Sequence, residues 1–196
     1  MRCPSCRVPF SSPPEKCPKC GLTLAELDRK FGIVPLYSRY LTDRTERLSL
    51  RDTTKLREAL QLFGRKFPQL LFSVVLIDLR PRAPIAEYAF WLINRARFSE
   101  FQATGPRNFE LLLVLNPGTK EAALMTGYGL EKVVTEEDLE ATLNAGQTGF
   151  EGGDIAGAIH SCIEFMTRRL REIGQQNALD RTSTGSAAIE ETAGQA

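Results

Sequence analysis

The chain has 196 residues, 42% of them hydrophobic and 25% charged, which is enough apolar content for a packed core and excludes wholesale disorder. With 25 Lys and Arg against 24 Asp and Glu the net charge is +1, so no bulk field draws the protein to nucleic acid or to a membrane. Apolar runs such as 111–115 fall far short of the ~18 residues a membrane span needs, and Met1-Arg2-Cys3-Pro4 carries no apolar leader. The expectation is a cytoplasmic protein of one domain plus an appendage.

That appendage comes first. Cys3-Pro4-Ser5-Cys6 and Cys17-Pro18-Lys19-Cys20 form two CxxC knuckles separated by ten residues. A thiolate pair at this spacing grips one metal ion from a tight turn, and two such turns complete the tetrahedral four-sulfur set that Zn²⁺ adopts in structural sites. Two disulfides or a redox pair are the rival readings. Disulfides belong to oxidising compartments, and a thioredoxin-like motif follows a strand rather than opening a chain. Residues 1–22 are therefore read as a short zinc ribbon. Its four positions are all Cys, so the ion keeps no open site for catalysis. The ribbon lacks the stacking aromatics of a strong nucleic-acid grip, which favours a docking or stapling role.

Residues 23–35 read as a connector with Leu24, Leu27 and Phe31 at helical spacing. Ser49 to Asp52 is a capping signature that opens a helix with Leu56, Ala59, Leu60, Phe63 and Phe67 on one face. The almost wholly apolar 70–79 suits a strand covered on both faces. Pro84 can start a second helix, with Ile85, Tyr88, Ala89, Leu92 and Ile93 inward. A second apolar strand at 109–116 meets Pro117-Gly118, a turn into a hairpin partner at 121–126. Thr135 and Asp138 have capping-box spacing ahead of a short helix through Leu143. Asp154 caps a last helix whose stripe runs from Ile155 through Cys162 and Met166 to Ile173. The order α-β-α-β-β-α-α predicts an α/β fold, a small sheet with helices on both sides. From 175 to 196 there is no aromatic residue, and this tail is expected to be disordered.

Thr42-Asp43-Arg44-Thr45-Glu46-Arg47-Leu48-Ser49 before a helix, the strand Leu111-Leu112-Leu113-Val114, the string Thr126-Gly127-Tyr128-Gly129-Leu130-Glu131 and the segment 150–154 together resemble the TPM domain. That family was founded on a thylakoid lumen phosphatase, a photosystem II repair protein and an animal receptor modulator. The resemblance spans roughly 36–174 and implies a three-layer α/β/α sandwich. It further implies an acidic cluster that binds Ca²⁺ in some members, with Asp43 and Glu131 at matching acidic positions. The family's Asp-Asn-Gly motif is Arg107-Asn108-Phe109 here. An Arg among the ligands opposes a hard cation, so Ca²⁺ is not expected to bind. Bacterial relatives often carry a leader, a membrane helix and a Gly-rich tail; their cell-envelope role is not carried over.

Other chemistry is sparse. His160 is the single imidazole and is expected on a helix surface, whereas Cys162 falls on an apolar stripe as an inert thiol. Gly127-Tyr128-Gly129 lacks the Lys-Ser/Thr of a phosphate loop. Arg80 and Arg82 lie just past the first long strand, where α/β sheets place ligand crevices, and are candidates for binding an anion. Residues 39–107 hold 13 Lys/Arg and seven Asp/Glu, and 108–174 hold five and 11, so opposite faces could carry opposite charge. The leading expectation is a non-enzymatic interaction or regulatory module with an unidentified protein partner. The alternatives are a metal-dependent phosphoester hydrolase working from an acidic cleft at Asp43 and Glu131, and a nucleic-acid binder.

Overall fold

The structure is a computed structural model that describes residues 2–10, 14–34, 36–79, 83–98 and 109–193, giving the backbone alone for 97–98 and 178–193. Its core is a four-stranded sheet in the order β2 (Leu41–Asp43), β3 (Leu71–Leu76), β5 (Glu110–Asn116) and β6 (Glu121–Thr126). The first three strands are parallel and β6 returns antiparallel. A second, two-stranded parallel ladder joins β1 (Leu36–Tyr37) to β4 (Arg97–Phe98).

The near-continuous apolar sequences of β3 and β5 are explained by burial on both faces. Phe72, Val74, Leu76, Leu111, Leu113 and Leu115 point to one side, where α2 (Leu50–Lys66), α4 (Glu136–Gly152) and α5 (Ile155–Ala193) cover them. Val75, Leu112 and Val114 point to the other, under α1 (Leu24–Phe31) and α3 (Ile85–Arg95). This is the three-layer α/β/α sandwich that the period-2 alternation of a doubly covered strand requires. Each fully buried Leu or Phe in these layers stabilises the fold by about 1.5–3 kcal/mol relative to exposure.

Local signals place the helices. Ser49 Oγ accepts the Asp52 N–H at 3.1 Å, and Thr135 forms a reciprocal capping box with Asp138. Asp154 Oδ1 accepts the Gly157 N–H at 2.9 Å at the start of α5. The stretch 23–35 is more than a connector. Thr23 and Glu26 form a capping box for α1, Leu27 is fully buried, and Trp91 Nε1 and Arg95 both donate to Asp28. Lys30 Nζ meets the buried Glu87 at 2.6 Å. Helix α4 runs 17 residues rather than stopping near Leu143, and the backbone of α5 continues helically through 175–193 where irregular chain was expected. Residues such as Gln175, Gln176 and Ala178 have good helix propensity, so the missing apolar stripe does not stop the backbone.

Two crossovers set the functional topology. β2–α2–β3 and β3–α3–β5 step in the same direction across the sheet but on opposite faces. They are therefore of opposite hand, and one departs from the usual right-handed rule. The chain leaves the carboxyl ends of β2 and β3 toward opposite layers, which is the arrangement that opens a crevice at strand ends.

Candidate functional site

The two N-terminal knuckles have the same backbone. Cys3 N–H donates to Val8 O at 2.9 Å and Arg7 N–H to Cys3 O at 3.0 Å; Cys17 N–H donates to Leu22 O and Gly21 N–H to Cys17 O, both at 2.9 Å. The fourth residue after each leading Cys is left-handed: Gly21 at φ 80° and Arg7 at φ 62°. Glycine takes that conformation freely, whereas Arg7 bears a cost of roughly 1–2 kcal/mol.

The turns bring four unbridged thiols together. Cys3 and Cys20 Sγ are 3.6 Å apart, as are Cys6 and Cys17 Sγ, and all four sulfurs lie within 4.8 Å of one another. A tetrahedral ion with metal–sulfur bonds of about 2.3 Å spaces its ligands about 3.8 Å apart, so the cluster fits one metal ion. Burial would raise Cys17, but the N–H groups of Cys20 and Lys19 outweigh it and hold the thiol down at about 6. Burial pushes Cys3 up to about 12, so a bound cation would have to displace its proton.

The ribbon is held against the larger domain. Arg2 Nε reaches Glu136 at 2.5 Å, and Arg7 Nη2 lies 3.4 Å from Glu136 and 3.9 Å from Glu140. The strained φ of Arg7 thus aims its side chain at the first turn of α4. Glu136 sits in the first turn of α4, where the helix dipole favours an acid.

A family model for the TPM domain matches residues 41–169. The chain belongs to the TPM domain family. Three solution structures share the fold: the N-terminal domain of a protein from P. gingivalis (22% identity, TM-score 0.53, covering 68% of this chain and 82% of that one), the N-terminal domain of the cg2496 protein of Corynebacterium glutamicum (20%, 0.51, 70% and 83%), and the BA42 protein of Bizionia argentinensis (18%, 0.56, 66% and 86%). At these identities the likeness is one of fold alone. No curated protein matches the sequence.

The TPM domain here does not join Asp43 and Glu131 in one cleft. β2 and β6 are opposite edges of the sheet, three strand spacings or about 14 Å apart. Asp43 ends β2 at the carboxyl end of the parallel strands, whereas Glu131 follows antiparallel β6 at the other end. Sequence spacing carries no information on strand order, which is why the pair looked plausible. Asp43 is also committed locally. Thr45 N–H and Oγ1 donate to its Oδ1 at 2.8 and 2.7 Å, and Leu48 N–H donates to Oδ2 at 2.9 Å. Burial opposes the charge, yet these donors hold its carboxyl below the usual range. Glu131 is half-buried, and that burial raises it.

Arg80, Arg82, Arg107 and Asn108 lie outside the described residues. α3 packs on β6 and α2 on α5, so elements of the basic and acidic halves of the sequence touch. His160 is exposed, with Glu164 3.6 Å away, and Cys162 is buried. Its Sγ donates to Thr142 O at 3.2 Å, and burial pushes the thiol up to about 11. One group was missed altogether. Asn116, at the carboxyl end of central β5, is 1% exposed, and among the described residues neither of its amide atoms has a hydrogen-bond partner. Asn116 Oδ1 and Asp78 Oδ1 both face the bare side of Gly118, 3.5 and 3.4 Å from where a Cβ would sit. An Asn ending an apolar strand was the available signal.

Proposed function

We propose that this TPM-domain protein is a cytoplasmic, non-enzymatic interaction module stapled by one structural zinc. The observation that carries this reading is the closed four-sulfur cluster of Cys3, Cys6, Cys17 and Cys20, docked by Arg2 and Arg7 on α4. Zinc held by four thiolates supplies a cross-link and no Lewis-acid position. It replaces the hydrophobic core that a unit of about 22 residues is too small to build. Asp43, the acid at a family-matched position on the sheet, accepts hydrogen bonds from Thr45 and Leu48.

A phosphoester hydrolase is the second reading, supported by the buried amide of Asn116, unpartnered among the described residues, beside Asp78 at the strand-end crevice. Turnover of p-nitrophenyl phosphate with added Mg²⁺, Mn²⁺ and Ca²⁺ separates the two. The module reading expects no rate above that of the Asp78→Asn variant. Metal-dependent turnover lost in Asp78→Asn, with zinc content and circular dichroism unchanged, would replace it with the hydrolase.

A further inference from the structure

A groove of about 710 Å³ runs along the outer edge of β6. Every residue from Ala122 to Gly127 lines it, including both those that face α4 and those that face α3. A cavity touching alternate residues of one strand lies beside its edge rather than on either face. Phe90 and Ile93 of α3 form one wall, Leu139 and Leu143 of α4 the other, and Arg2 and Arg7 of the ribbon stand at its end.

Among the described residues nothing bonds to the outer main chain of this edge. Gly127 N–H donates to Glu110 O at 2.8 Å, which fixes the phase of the antiparallel ladder. Hydrogen-bonded pairs then fall at Leu112–Met125, Val114–Ala123 and Asn116–Glu121. The N–H and C=O groups of Ala122, Leu124 and Thr126 point the other way, into the groove. Among the described residues no strand pairs with them. An open edge of this kind is a template for one more strand.

The dimensions and charge of the slot select what fills it. A strand takes ~4.8 Å within a sheet and ~10 Å between packed layers, so this volume corresponds to about 15 Å of strand, or four to five residues. The lining carries three cations, Arg2, Arg7 and Arg95, against three carboxylates, Glu131, Glu136 and Glu140. Arg2 and Arg7 are matched by Glu136 and Glu140, and Arg95 is held by Asp28 at 2.9 Å. Three cations and three carboxylates leave the lining without net charge, which complements a segment that carries none.

We propose that β6 is a β-augmentation site that takes an extended, uncharged partner peptide of about five residues with apolar side chains on both faces. The proposal rests on the interaction-module reading and names its docking surface. One set of the peptide's side chains lies toward Phe90 and Ile93 and the other toward Leu139 and Leu143, while its backbone pairs with Ala122, Leu124 and Thr126.

The test titrates the full-length, zinc-loaded chain with a capped hexapeptide alternating valine and alanine. Its controls are the same peptide N-methylated at alternate amides and the same peptide with glutamate in place of alanine. Saturable binding is expected, with slowed hydrogen exchange at the amides of Ala122, Leu124 and Thr126. Binding should weaken at least tenfold for the N-methylated peptide and measurably for the glutamate peptide. Ala122→Pro removes an outward N–H that β5 does not use and should also cost about tenfold; Ile93→Lys checks the wall should that variant misfold. Absence of binding at millimolar peptide, or binding undiminished by N-methylation, would overturn the proposal. So would a homodimer that Ala122→Pro dissolves, since the occupant would then be a second copy. Peptide failure with a silent phosphatase assay removes this site alone, whereas metal-dependent turnover removes the module reading itself.

Discussion

Replacing Gly146 with Ala should destabilise the protein although alanine is the better helix former. Gly146 lies in α4 where that helix crosses α5. A Cβ there would sit 2.7 Å from Ala158 O and 2.7 Å from Cys162 Sγ, and 3.3 Å from the Ala158 carbonyl carbon. Two of those three atoms are backbone, so relief requires α4 and α5 to part by about 0.7 Å at a close-packed contact. Overpacking of this kind costs about 1–3 kcal/mol, against a helix-propensity gain of about 1 kcal/mol. The net expectation is a loss of up to about 2 kcal/mol, or up to about 8 °C in melting temperature for a domain of this size. Gly174→Ala is the matched control, because nothing lies within 4 Å of its Cβ position in the exposed part of α5; it should gain up to about 1 kcal/mol. Urea unfolding followed by circular dichroism at constant m-value measures both. Adding Cys162→Ala to Gly146→Ala removes one of the two closest contacts and should recover part of the loss. If Gly146→Ala is as stable as the parent, the α4–α5 crossing is looser than described and the argument fails.

Metal analysis of purified protein should find one zinc per chain; Cys17→Ser should lose it while the near-ultraviolet spectrum of the larger domain persists. Asp43→Asn should lower neutral-pH stability by about 1–3 kcal/mol, since an amide cannot accept from Thr45 and from Leu48 N–H on both sides. The Asp43 carboxyl is depressed in the fold, so its contribution is present above its unfolded value near ~3.9 and is lost as pH falls through the lower folded value. Acid titration of Asp43→Asn should accordingly show a shallower loss of stability below pH ~4 than the parent. Lys30→Met leaves the Glu87 carboxylate buried without its cation and should cost about 1–3 kcal/mol; adding Glu87→Gln should restore most of that in thermal melts.

The sequence by itself determined the features that depend on short spacings. The CxxC pairs determined a four-sulfur cluster because a tight turn brings residues i and i+3 onto one ion whatever follows. The caps at Ser49, Thr135 and Asp154 determined helix starts, because a side chain two or three residues away satisfies the free N–H groups. The unbroken apolar runs of β3 and β5 determined that helices cover both faces of the sheet. β2 was illegible, since three residues show no period, although Leu41 is buried and pairs with Val74. Tertiary structure alone decided which acids meet. Asp43 and Glu131 share a family resemblance but end on opposite edges, while Arg7 and Glu136, 129 residues apart, come within 3.4 Å. Strand order and crossover hand fix those distances, and neither is written in local periodicity. The open edge of β6 is of the same kind: among the described residues it is last in the sheet order, a property of the assembled layers and of no residue within it.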